Sequence, residues 1–125
     1  DGSIDFLVKP NNDFAESTTT EWEVGAWYHF AGTFDGDTLR VYVDGALEGE
    51  TDIGAAIAPS DLDLWIGADD NGRLTDSFPG VIDEVRLYDR PLDEGEIGEL
   101  LEGPRAIDAR SKAPVAWGRI KDANR

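Results

Sequence analysis

The feature that most constrains this chain is an Asp44-Gly45 pair set between two runs of alternating residues. Thr38-Leu39-Arg40-Val41-Tyr42-Val43 places Leu39, Val41 and Val43 on one side and Arg40 and Tyr42 on the other, the period of two that a strand requires. A two-residue type I′ hairpin turn needs positive φ at both central positions, and Asp-Gly accepts that geometry. A returning strand is therefore expected over Ala46–Asp52. Upstream, Trp27 to Phe34 alternates again, with Tyr28, Phe30 and Phe34 expected toward the core. Gly32 among them points to the close approach of another backbone. Asp35-Gly36-Asp37 supplies the tight loop between these strands.

Four further runs read as strands. Ile4, Phe6 and Val8 share one face of Ile4–Val8, which Pro10-Asn11-Asn12-Asp13 then breaks. Thr20–Val24 is a weaker pattern, and Asp61–Gly67 alternates Leu62, Leu64 and Ile66 against Asp63 and Trp65. Val81–Tyr88 carries apolar residues on both faces, the mark of a central strand. A helix follows, because Asp93 and Glu96 have the spacing of a capping box and Ile97, Leu100 and Leu101 form one stripe. Gly103-Pro104 is its expected stop. Seven short strands with one short helix after the last predict an all-β, antiparallel β-sandwich.

Composition narrows the partners. Residues 1–101 hold 24 Asp and Glu against 5 Lys and Arg, whereas residues 102–125 hold 3 against 6. So acidic a body repels phosphate backbones, which excludes nucleic acid as a partner and leaves divalent cations, neutral sugars and basic surfaces. Many of the carboxylates also serve to keep a β-protein soluble and its edges apart. Apolar content of 40% with 4 Trp is enough for a packed core. There is no cysteine, so neither a disulfide framework nor a thiolate metal site is available. No apolar run has the length for membrane insertion as a helix. A start at Asp1 gives the expectation of a processed or truncated product.

The order of these signals, from Gly25-Ala26-Trp27-Tyr28-His29-Phe30 through Val43-Asp44-Gly45 to Phe78-Pro79-Gly80-Val81-Ile82-Asp83-Glu84-Val85-Arg86-Leu87-Tyr88, resembles the laminin-G-like domains of the concanavalin A-like lectin/glucanase superfamily. The resemblance spans roughly residues 3 to 101, and the closing segment is its most specific part. It implies a jelly-roll-like sandwich and an extracellular or cell-surface recognition role. It also implies an opening segment, ahead of Ser3, with no counterpart in this chain. The expected organisation is a partial sandwich over residues 1–103 and a basic tail or linker over 104–125. Apolar surface left open by the missing strands would be covered by homodimerisation, by the rest of a larger chain, or by the tail with its Trp117 and Ile120.

The candidate chemistry is oxygen-rich. His29 is the single histidine, so no zinc cluster or Ser/His or Cys/His nucleophile arrangement is available. The resemblance brings glycoside hydrolases into view, and these need paired carboxylates. Glu21-Trp22-Glu23 and Glu48-Gly49-Glu50 are the nearest pairs, and neither has the third carboxylate of the related hydrolases, so no catalytic residue is expected. Asp83, flanked by Val81 and Val85 on an apolar face, must be paired with an arginine or bound to a metal. The resemblance adds a structural calcium at this place in the last strand. Asp69 and Asp70, followed by Asn71 and Gly72, suit either a second calcium site or an Asx turn. Trp22, Trp65 and Asn71 are candidate ligand contacts, against the commoner role of a tryptophan in a core. The expectation is a non-catalytic module that binds a glycan or a matrix or cell-surface protein, with calcium. The alternative is a structural or spacer domain of a larger surface protein without a small ligand.

Overall fold

The structure is a computed structural model, and it describes residues 2–8, 12–54, 56–57, 59, 61, 64–68 and 77–102. Among these, five strands form two antiparallel sheets, and one short helix follows. The first sheet is a hairpin of β1 (Asp5–Val8) and β2 (Asp13–Glu16), with Phe6 opposite Ala15 and Leu7 opposite Phe14. Its pairing is extended at one end by Ser17, whose N–H donates to the Ile4 carbonyl and whose hydroxyl accepts from the Ile4 N–H, both at 2.9 Å.

The second sheet has the order β3 (Phe30–Phe34), β4 (Thr38–Val43), β5 (Ala46–Asp52). β4 is its centre, and Thr38, Leu39, Val41, Tyr42 and Val43 are all buried. The turn after it takes the expected form: Asp44 lies at φ 48° and Gly45 at φ 81°, both left-handed. The loop before it is an Asx turn, since the Asp35 carboxylate accepts from the N–H groups of Asp37 and Thr38 at 3.0 and 2.9 Å.

The two sheets meet over a small core of Val8, Ala15, Leu39 and Val41, with Ile4, Phe6, Phe34 and Ile53 packed around it. Two glycines permit the contact. A Cβ at Gly32 would fall 2.5 Å from the Phe6 ring, so β1 presses a side chain onto β3. A Cβ at Gly49 would collide with the backbone carbonyl of Glu16, so β2 comes down onto β5 main chain to main chain. The expected close approach at Gly32 is thus made by an aromatic ring; the backbone contact is at Gly49.

The helix α1 (Glu94–Leu101) has the complete capping box: the Asp93 carboxylate accepts from Glu96 N–H at 2.8 Å, and Glu96 accepts from Asp93 N–H at 3.0 Å. Ile97 is fully buried, Leu100 is half-buried and Leu101 stays largely exposed beside the β4–β5 turn at Gly45. Helix and turn therefore pack together.

Three expectations are corrected. Thr20–Val24 is not a strand, and at its end an Ala26 N–H to Glu23 carbonyl bond with Gly25 at φ 88° closes a turn over residues 23–26. The strand expected from Trp27 starts only at Phe30, and Phe30, expected toward the core, is itself 38% exposed while Thr33 is buried. Val81–Tyr88 is not a strand either: Glu84 has φ 54°, and its N–H bonds the Asp83 carboxylate, which turns the chain out of the extended form. Alternation alone does not hold a strand; a ladder partner is needed, and among the described residues this segment has none. Of Asp61–Gly67, residues 64–67 are not in a strand and residues 62–63 lie outside the described residues.

Candidate functional site

Trp22 stands at the centre of an aromatic group. Its ring packs edge-on against Tyr28 and Phe30 at centroid distances of 5.0 and 5.4 Å, and its indole N–H donates to the Gly2 carbonyl at 2.5 Å. T-shaped pairs of this kind add about 0.5–1.5 kcal/mol each beyond buried area. Tyr28 in turn uses its hydroxyl to accept from Glu23 N–H at 2.9 Å. The group fixes the path of residues 20–28 where no ladder does.

Trp65 is the contrasting case. It is 55% exposed, in a segment joined to residues 77–82 by the Phe78 N–H to Gly67 carbonyl bond of 2.7 Å. Ile82 also reaches Gly67, with its Cδ1 3.2 Å from where a Cβ would stand. Trp65, Ile66, Phe78 and Ile82 are each exposed, and Gly67 is the point at which the two segments meet. Asp83 follows Ile82 in the chain. Its carboxylate is exposed and accepts from Glu84 N–H at 2.8 Å, so it is not the buried group that its sequence neighbours suggested. The arginines weighed as its partners are engaged elsewhere: Arg40 with Asp35 and Glu50, Arg86 with Glu84. Asp69, Asp70 and Asn71, like Arg73, lie outside the described residues. Among the described residues no group of three or more His, Asp or Glu gathers to hold a metal.

A groove that the sequence reading missed runs between β2 and β5. It has a volume of about 620 Å³ and is lined by Asp13, Phe14, Glu16, Glu48, Glu50 and Thr51 among others. The β-bulge in β5 shapes one wall. Val41 pairs with Gly49 and Tyr42 with Leu47, which leaves Glu48 as the extra residue. Its carboxylate turns to Thr19, accepting from the N–H at 2.8 Å and the hydroxyl at 2.7 Å, and these bonds lower its pKa. Glu16 accepts from the Ser3 hydroxyl at 2.7 Å, and Glu50 from Arg40 at 3.0 Å. Arg40 also lies 2.6 Å from Asp35, and its hydrogen bond holds that carboxyl well below the usual range. Carboxylates so engaged favour neutral or cationic ligands over anions.

Neither carboxylate pair weighed for hydrolysis sits at alternating positions of a regular strand. Glu21 and Glu23 are outside the strands, and the bulge separates Glu48 from Glu50. His29 is held by its backbone, donating to the Asp44 carboxylate at 2.8 Å and accepting from Asp44 N–H at 2.9 Å. Its Nδ1 is buried with no hydrogen-bond partner among the described residues.

Two packed antiparallel sheets with a capped helix after them agree with one family, whose description matches residues 1–98. The chain belongs to the concanavalin A-like lectin/glucanases superfamily, in its laminin G-like branch. Domains of this branch are generally non-catalytic and usually extracellular, which points to a binding module. No curated protein sequence matches the chain. Among solved structures it is similar to the 2.1 Å crystal structure of an S-layer domain-containing protein (residues 221–444) from Clostridium thermocellum, with 22% identity and a TM-score of 0.54. That match covers 80% of this chain and 63% of the other, so this laminin G-like domain spans less than two thirds of that structure. At such identity the likeness shows the fold alone. Among the described residues no helix is long and apolar enough to cross a membrane.

Proposed function

We infer that this laminin G-like chain is a non-catalytic recognition module at the cell surface, binding a glycan or a matrix or cell-surface protein. The observation that carries the reading is the exposure of Trp65, in a segment bonded to residues 77–82, on a fold whose other candidate tryptophan is already packed. A sugar face stacks on an exposed indole, and hydroxyls bond to nearby carboxylates and amides. Trp65 is the proposed platform, Asn71 a proposed polar contact, and Trp22 contributes through the packing that holds residues 20–28. The surface-layer setting of the similar structure supports the location.

Calcium dependence belongs to the same proposal. Asp83 and, by their residue type, Asp69 and Asp70 offer the hard oxygen donors this ion takes. A glycan array and a panel of matrix proteins, probed in calcium and again in chelator, tests the reading. Saturable binding that is lost in Trp65→Ala and weakened by chelator is expected; uniform failure to bind across both panels contradicts it. The spacer reading is favoured by a different observation, the exposed apolar run 78–88, which suits contact with other parts of a larger protein.

A further inference from the structure

The groove between β2 and β5 has no part in the recognition proposed at Trp65, since none of its lining residues lies in 64–68 or 77–88. Its volume of about 620 Å³ is within the range of ligand clefts, roughly 300–1,000 Å³. Of its 8 lining residues four are carboxylates, Asp13, Glu16, Glu48 and Glu50, and none is Lys or Arg. These carboxylates differ in the oxygens they have left to accept. Glu48 has both on Thr19. Glu16 uses only Oε1, for the Ser3 hydroxyl, and Glu50 only Oε2, for Arg40. Among the described residues the other oxygen of each, and both oxygens of Asp13, accept no hydrogen bond.

The second observation is apolar. The register of the β1–β2 hairpin turns Phe6, Val8 and Ala15 to the core, so Leu7 and Phe14, opposite one another, stand on its outer face. They are 44% and 45% exposed, and Phe14 lines the groove. The charges do nothing for a neutral sugar and repel an anion. A long cationic side chain suits ring and carboxylates together, because Lys and Arg lay an apolar stem along a hydrophobic surface and keep the charged head in polar surroundings. A cation over an aromatic face is attracted in its own right. The acidic body, with 24 Asp and Glu against 5 Lys and Arg over residues 1–101, draws such a partner toward it.

We propose that the β2–β5 groove is a second binding site, which takes a basic segment of a partner protein: a lysine or arginine stem lies on Phe14, and its charged head meets Asp13, Glu16 and Glu50. Glu48, held by Thr19, is the fixed wall of the site. The probe is a fluorescent ten-residue peptide of alternating lysine and serine, titrated with the full chain in physiological salt. A peptide of alternating glutamate and serine and the polyamine spermine serve as competitors. Saturable binding is expected, at least tenfold weaker in Asp13→Asn/Glu50→Gln and at least threefold weaker in Phe14→Ser. It should be unchanged in Glu21→Gln/Glu23→Gln, which removes the same charge outside the groove. Amide shifts of the unsubstituted chain, which need no variant to fold, should move at residues 13–16 and 48–51. Absence of saturable binding overturns the proposal, as do shifts confined to residues 78–88. Equal weakening in the two double variants overturns it too, because the acidic body at large is then the attractant. Displacement by spermine at the same concentration as by unlabelled lysine peptide makes the site one for small polycations and likewise overturns it.

Discussion

The ring of Phe6 occupies the space that a side chain at position 32 would need: a Cβ on Gly32 would stand 2.5 Å from its Cγ and Cδ2. β1 and β3 belong to different sheets, so this one contact registers the two layers against each other. Gly32→Ala forces the ring or the strand to move, and overpacking of this kind costs about 1–3 kcal/mol. Urea unfolding should show that loss in Gly32→Ala, with partial recovery when Phe6→Leu is added. Unchanged stability in the single variant would show that the sheets are not packed through this pair.

Glu48 tests the bulge. Its carboxylate takes both bonds from Thr19, and hydrogen bonds to a charged group contribute about 1.5–3 kcal/mol. Glu48→Ala should therefore destabilise the chain by about 1–2 kcal/mol by urea titration, whereas Glu50→Ala, at an exposed pair with Arg40, should cost less than about 1 kcal/mol. Equal effects would mean that the bulge residue has no special anchoring role.

Glu96 gives a pH dependence with a definite sign. Its bonds from Arg90, and then from the Asp93 N–H, lower its pKa from 4.5 to about 2. A carboxyl depressed on folding stabilises the native state above its unfolded value, and that contribution is lost as pH falls from 4.5 towards 2. Thermal melts should show a smaller loss of midpoint between pH 5 and about pH 2.5 for Glu96→Gln than for the unsubstituted chain. An identical acid slope would remove Glu96 from the account.

The two tryptophans should separate stability from binding. Trp22→Ala removes two edge-on ring contacts and the indole bond to Gly2, and should lower stability by about 2–3 kcal/mol. Trp65→Ala, from an exposed site, should leave the melting midpoint within about 2 °C while weakening ligand binding at least tenfold. Similar midpoints for both would mean that Trp22 is not structural.

What the sequence disclosed was local chemistry. The Asp44-Gly45 turn, the strands on either side of it, the Asp93/Glu96 capping box and burial of Ile97 are all set by residues within a few positions of one another. β2 was missed, although Asp13-Phe14-Ala15-Glu16 following Pro10-Asn11-Asn12 has the form of a hairpin's second arm, and with it went the β2–β5 groove. Val81–Tyr88 failed in the other direction: its alternation is strand-like, but the ladder that would hold it is not among the described residues. The candidate site was half legible for the same reason. Sequence alone named both Trp22 and Trp65, yet only the tertiary contacts of Tyr28, Phe30 and Gly2 tell the packed ring from the exposed one.

The most direct test of recognition without catalysis is to measure binding and turnover together on one polysaccharide panel. Saturable binding by calorimetry, with no release of reducing sugar over a day from any bound glycan, is the result predicted for this laminin G-like domain. Reducing sugar released from a bound glycan, and abolished by Glu48→Gln or Glu21→Gln, would contradict it.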